Sequence, residues 1–201
     1  ACLPKTAWPP TSDFGGSANA DAIVDHPYQF DFYDGGGLDM AFLGMAECNA
    51  KGDVNVSKFK DRIAGCGGFI NITQNTHKVV FCGTFTAKGL REEIRDGKLV
   101  ITHEGAVQKF IDKVGQITFS AEYAHKHNQQ VMFITERCVF VLTDKGLVLT
   151  EIAPGVDLQK DILDQMEFVP HIAENLKTMD ERLFRDEPMG LAQDIFEQQA
   201  G

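Results

Sequence analysis

An α/β fold is what this sequence predicts. In its first half, short apolar runs are broken by glycine clusters: Asp34-Gly35-Gly36-Gly37-Leu38-Asp39, Gly65-Cys66-Gly67-Gly68 and Gly83-Thr84-Phe85-Thr86-Ala87-Lys88-Gly89. In its second half, β-branched and aromatic stretches alternate with turns, and Asp157 precedes an amphipathic segment of helical period. The chain has 201 residues, 43% hydrophobic and 24% charged, the proportions of one soluble globular domain.

Residues 1–10 carry three prolines and no hydrophobic period, and read as a loop or a foreign leader. Residues 13–19 remain turn-like, and 20–24 fit a helical turn or a short strand. Phe30-Asp31-Phe32-Tyr33 alternates as a half-buried strand does and stops at the triple glycine. The apolar run from Leu38 to Ala46 fits a short buried helix or a strand, and periodicity does not separate the two. Lys51-Gly52-Asp53 is a turn, Val54-Asn55-Val56 a short extended piece, and Phe69-Ile70-Asn71-Ile72 follows the second glycine cluster. Lys78-Val79-Val80-Phe81-Cys82 is the clearest buried strand of this half. Paired strands are expected at 98–102, 116–120, 131–135, 138–142 and 147–152, with turns at Asp96-Gly97 and Asp144-Lys145-Gly146. Asp157 caps a predicted helix over 158–166 that gathers Leu158, Ile162, Leu163 and Met166 on one face. The charged tail beyond Pro170 is expected to form a surface helix, mobile or docked on a second subunit.

The net charge of −10 argues against a surface that binds nucleic acid or anionic lipid by charge. No apolar stretch reaches the roughly 18 residues of a membrane span, and the N-terminus lacks a basic-then-apolar signal pattern, so the expected location is the cytoplasm. The cysteines at 2, 48, 66, 82 and 138 form no CxxC pair, and their apolar or glycine neighbours suit small buried residues in a reducing compartment.

Consecutive backbone N–H groups freed by glycine turns can receive an anion or a developing oxyanion, although such turns are also ordinary punctuation. Cys66 with His77 could be a thiol and its base, but a cysteine between glycines is more simply a small residue at a tight turn. His125 and His127 lack the third and fourth ligands of a zinc site. Gly35-Gly36-Gly37 invites a dinucleotide reading, yet G-x-G-x-x-G is absent there.

Several motifs in order carry a resemblance: Phe30-Asp31-Phe32-Tyr33-Asp34-Gly35-Gly36-Gly37-Leu38-Asp39, Leu43-Gly44-Met45-Ala46, Gly52-Asp53-Val54-Asn55-Val56-Ser57-Lys58-Phe59 and Ala64-Gly65-Cys66-Gly67-Gly68-Phe69-Ile70-Asn71-Ile72. With Lys78-Val79-Val80-Phe81, Ile134-Thr135-Glu136-Arg137-Cys138-Val139-Phe140 and Ile152-Ala153-Pro154-Gly155-Val156-Asp157, the chain from about Asp13 to Leu191 resembles the family I CoA-transferases, in the acetate/3-ketoacid and propionate subgroup. What this implies is most of the second of two homologous halves, an open, mostly parallel sheet with helices on both faces and a strand-rich C-terminal portion. It implies covalent catalysis, in which a glutamate takes the acyl group and then CoA before a second acid receives the CoA. Coenzyme A is then a substrate and no other cofactor is called for.

On the same resemblance, the backbone N–H groups of Gly67 and Gly68 hold the tetrahedral oxyanion. Lys88 approaches a CoA phosphate or is a solvated loop lysine; Asn71 and Gln74 orient a substrate carboxylate or satisfy local backbone. Glu136 is a buried acid near the site or faces water. The family nucleophile lies in a Glu-x-Gly motif, and counting back from Asp13-Phe14-Gly15 puts it at or before Ala1, where this chain has no glutamate. The expectations are therefore that 1–10 is an atypical leader, that 11–201 is a second-half domain incomplete at its N-terminus, and that the chain alone is inactive. A complementary first half is the expected partner, and uncovered apolar surface should make the chain self-associate. The competing function is a non-catalytic fragment or degenerate paralogue that binds a complementary half or CoA without turnover.

Overall fold

The computed structural model describes residues 21–199, so the readings made for 1–10 and 13–20 lie outside the described residues. In chain order the elements are helix α1 (His26–Asp34), strands β1 (Met40–Gly44), β2 (Glu47–Cys48), β3 (Val54–Asn55), β4 (Lys58–Phe59) and β5 (Arg62–Ile63), and helix α2 (Phe69–Gln74). Next come β6 (Lys78–Cys82), β7 (Thr86–Ala87), β8 (Arg91–Arg95), β9 (Lys98–His103) and β10 (Val107–Gln108), then α3 (Ala121–Lys126). The chain continues through β11 (Gln130–Ile134), β12 (Cys138–Thr143), β13 (Gly146–Ile152), β14 (His171–Thr178) and α4 (Leu191–Gln199).

Six strands form the main sheet in the order β1-β6-β11-β12-β13-β14. β1, β6 and β11 run parallel, β12 is antiparallel to both its neighbours, and β13 and β14 are parallel again, so the α/β sheet is mixed and mostly parallel. Val79, Val80 and Phe81 are all buried, as a strand covered on both faces requires. Phe81 anchors the core, its ring centroid 5.8 Å from Phe69, 5.1 Å from Phe119 and 5.2 Å from Phe133. A second aromatic group, Phe85, Phe110 and Phe140, continues it with centroid spacings of 4.7 and 5.1 Å. Such pairs add roughly 0.5–1.5 kcal/mol each beyond the area they bury. Among the described residues no helix is long and apolar enough to cross a membrane.

The structure corrects several local expectations. Phe30 to Tyr33 lies in α1 and not in a strand: Pro27 occupies its first turn, Gly35 ends it, and His26, Phe30 and Tyr33 meet at helical spacing, with centroids 4.6 and 5.5 Å apart. The Leu38–Ala46 run resolves to strand β1, which pairs residue for residue with β6. Residues 116–120 contribute one bridge, Phe119 to Val54, and no regular strand, because their backbone bonds converge on the single residue Val54 of the two-residue strand β3. Asp157 caps as expected, accepting from the Lys160 N–H at 2.8 Å, but the helix is a π turn over Leu158–Ile162 followed by a 3-10 turn over Leu163–Gln165. Beyond Pro170 the chain first forms β14, paired parallel to β13, and is α-helical only at α4. Cys48 and Cys138 are buried as expected, whereas Cys66 and Cys82 are exposed, because each sits where the chain leaves the core for a glycine turn.

Candidate active site

Gly67 and Gly68 close the loop that leads into α2. Gly67 has φ of +51°, the left-handed region that glycine enters without penalty, and Gly68 directly precedes the helix with φ of −83°. The turn spends its hydrogen bonds around the pair: Phe69 N–H donates to Cys66 O and Ile72 N–H to Gly68 O, both at 3.0 Å. The N–H groups of Gly67 and Gly68 themselves have no acceptor among the described residues. With His26, Pro27, Phe30 and Asn71 the two glycines line a cleft of about 450 Å³. A β-carbon on Gly68 would stand 2.7 Å from the Phe30 ring, so glycine is what lets the ring close one wall.

Asn71 lies one turn into α2 and faces the same cleft, where its Nδ2 donates to both oxygens of Asp34 at 3.0 and 3.1 Å, tying α2 to the end of α1. Gln74 is exposed at the far end of α2 and reaches the Tyr123 hydroxyl at 3.5 Å, outside the cleft lining. Lys88 is exposed in the loop after β7, with φ of +62°, and its carbonyl accepts from the Ala106 N–H at 3.0 Å. Gly67, Gly68 and Asn71 are thus together, while Gln74 and Lys88 stand apart from them. Cys66 precedes α2 and His77 follows it, so the helix separates the two. His127 stacks on Tyr123 with its Nδ1 2.9 Å from the Tyr123 carbonyl oxygen.

Glu136 is partly buried, its side chain 13% exposed, and belongs to a charged cluster. Its Oε1 accepts from Arg137 Nε and its Oε2 from the Phe85 N–H, each at 2.8 Å. Arg137 is fully buried and also donates to Glu104 Oε2 at 2.9 Å and to the Asp161 carbonyl at 2.8 Å. Burial pushes the Glu104 carboxyl up, but its hydrogen bonds from Arg137 and Thr86 outweigh that and hold it below the usual carboxylate range. Lys109, also buried, donates to the Thr84 carbonyl at 2.7 Å, and desolvation depresses its ammonium despite the nearby Glu136 charge. Sequence reasoning found Glu136 and missed Arg137, Glu104 and Lys109. Among these, only Arg137 carried a signal, as a charge between two apolar strand runs.

The chain is 53% identical over 184 residues to the Caffeate CoA-transferase of Acetobacterium woodii, covering 89% of this chain and 35% of that protein. It is 55% identical over 177 residues to the Acetate CoA-transferase YdiF of Escherichia coli K12, covering 88% of this chain and 33% of that one. The crystal structure of apo acyl-CoA transferase YdiF from Escherichia coli O157:H7 superimposes with a TM-score of 0.85 at 54% identity, over 88% of this chain and 34% of that one. The chain is homologous to CoA-transferases. It spans about a third of the length of the curated relatives it matches. A second structure of the YdiF acyl-CoA transferase, described as a thioester complex with CoA, matches at a TM-score of 0.84 and 55% identity, over 86% of this chain and 34% of that one. The CoA-transferase fold extends to more distant proteins: the decarboxylase AibA/AibB superimposes at a TM-score of 0.60 with 19% identity, a likeness of fold alone. No family model matches the chain.

Proposed function

We propose that the chain is the second-half portion of an acyl-CoA:carboxylate CoA-transferase, moving CoA between short-chain or 3-oxo acids through a glutamyl-CoA thioester. The observation that carries this reading is that Gly67 and Gly68, whose N–H groups have no acceptor among the described residues, both line a cleft of about 450 Å³. An unpaired backbone donor is unfavourable unless water or a ligand meets it. Two adjacent donors suit the oxygen that becomes negative when a carboxylate attacks a thioester carbonyl, and one such donor is typically worth about 10²–10³ in rate.

The exchange balances without redox chemistry. The glutamate carboxylate attacks the acyl carbonyl and the C–S bond breaks, leaving an acyl-glutamyl anhydride and CoA thiolate. The thiolate attacks the glutamyl carbonyl, the C–O bond breaks, and the first acid leaves as its carboxylate. The second acid then attacks the glutamyl thioester and takes CoA by the same steps reversed, regenerating the glutamate. Asn71 faces the cleft where a substrate carboxylate would sit, with Gln74 a turn farther on; Lys88 offers a point charge to a CoA phosphate, and Glu136 fixes the Phe85 N–H beyond the end of β6.

The described residues of the cleft lining include no carboxylate, and the nucleophile is placed in sequence upstream of this chain, on the same or a complementary polypeptide. The relatives' greater length, of which this chain covers about a third, supports that assignment. The chain by itself is then without turnover, which is also what the non-catalytic module reading requires. The four described cysteines are free thiols, consistent with a reducing cytoplasm.

The test is to extend the reading frame upstream, incubate the longer protein with acetyl-CoA, and map the CoA adduct by mass spectrometry. The adduct is expected on a glutamate outside residues 1–201. An adduct on a carboxylate within them, or none on the extended protein, overturns the reading.

A further inference from the structure

We propose that Lys109, Glu136, Arg137 and Glu104 are positioning residues that hold the segment 83–86, where the chain leaves the central strand β6, as a rigid wall of the substrate crevice. What the wall faces rests on the CoA-transferase reading; that the segment is held does not. Three consecutive residues are each gripped by a different charged side chain. Lys109 Nζ donates to the Thr84 carbonyl at 2.7 Å, the Phe85 N–H donates to Glu136 Oε2 at 2.8 Å, and the Thr86 hydroxyl donates to Glu104 Oε1. Arg137 joins the two carboxylates from behind, and its guanidinium carbon stands 4.8 Å from the centre of the Phe85 ring.

Stability alone does not call for this arrangement. Taking an ion out of water costs several kcal/mol, and apolar groups of similar volume often serve a core equally well. A fixed charged hydrogen bond supplies direction: here two of them hold the carbonyl and the N–H of the single Thr84–Phe85 peptide group, and a third holds the Thr86 side chain beside it. The place is also telling. β1, β6 and β11 are parallel, so Met45, Gly83 and Thr135 leave the sheet on one side, where ligands of open α/β sheets bind. A β-carbon on Gly83 would come within 2.9 Å of Lys109 Nζ and 3.7 Å of the Met45 carbonyl oxygen, so the ammonium lies against the backbone just past the end of β6, with the end of β1 close by. In the held segment Thr84, whose hydroxyl donates to the Thr86 carbonyl at 2.7 Å, lines a groove of about 790 Å³ with Leu90, Arg91 and Thr102.

The experiment compares this chain with its Lys109→Met, Glu136→Ala and Glu136→Gln variants by amide hydrogen exchange, and measures the Kd for CoA by calorimetry. Loss of one such hydrogen bond is expected to speed exchange at Phe85 about tenfold in Lys109→Met and Glu136→Ala and to raise the Kd by a similar factor. Glu136→Gln keeps an acceptor oxygen and should recover most of the protection, and the amides of Lys78–Cys82 should keep theirs in all three variants. Unchanged exchange at Phe85, a rise shared equally by Lys78–Cys82, or a loosened segment with unaltered CoA affinity overturns the proposal. If the parent chain binds no CoA, that result counts against the transferase reading, and the exchange pattern alone upholds or overturns the held segment.

Discussion

At Gly68 the Phe30 ring occupies the space a side chain would need, and the cleft depends on that contact. Gly68→Ala is expected to displace the ring and cost about 1–3 kcal/mol in urea unfolding, the usual range for overpacking. Glu92 provides a different test, because burial and the nearby charges of Glu136 and Glu104 raise its carboxyl pKa above the ordinary value despite Arg137. A carboxyl raised on folding opposes the folded state once it ionises, so Glu92→Gln should stabilise the chain at pH 7 by less than about 1 kcal/mol and give no gain near pH 4. The glycine pair could be singled out in the sequence through the family resemblance, whereas its spacing alone fitted an ordinary turn equally well. Lys109 and Glu104 were not, since nothing in a local pattern distinguishes a lysine or glutamate that folds inward from one that meets water.

Among the elements, β6, β11, β12 and β13 could be read directly because runs such as Val79-Val80-Phe81 and Val139-Phe140-Val141 are too continuously apolar to be exposed. α1 was misread because Phe30 and Phe32 also satisfy a two-residue alternation, and the Pro27 start signal was passed over. β14 was missed because most of its residues are exposed, leaving pairing with β13 as its main attachment. These differences in burial give contrasting expectations for two phenylalanines. Phe81→Ala should cost about 3–5 kcal/mol in chemical denaturation, since three aromatic rings pack on it. Phe42, on edge strand β1, is 67% exposed, and Phe42→Ser should change stability by within about 0.5 kcal/mol while reducing self-association in light scattering.

For the molecule as a whole, acid stability should follow the charged cluster. The Glu104 carboxyl is held low on folding, so its contribution is present above the ordinary carboxylate value and is lost as pH falls through the lower folded-state value. Thermal midpoints measured across pH 2–5 should fall more steeply for the parent chain than for Glu104→Gln. The mostly parallel sheet and the match to CoA-transferases were both legible from motif order, whereas the mixed centre, with β12 reversed between β11 and β13, was not, because strand direction is set by tertiary pairing. β1 has a further consequence through β6, its one sheet partner among the described residues, from which it is separated by four short strands and a helix. During synthesis, the apolar sequence Met40-Ala41-Phe42-Leu43 leaves the ribosome before β6, the strand that pairs with it in the described sheet, has been made. It should therefore be a binding site for co-translational chaperones until Cys82 has emerged.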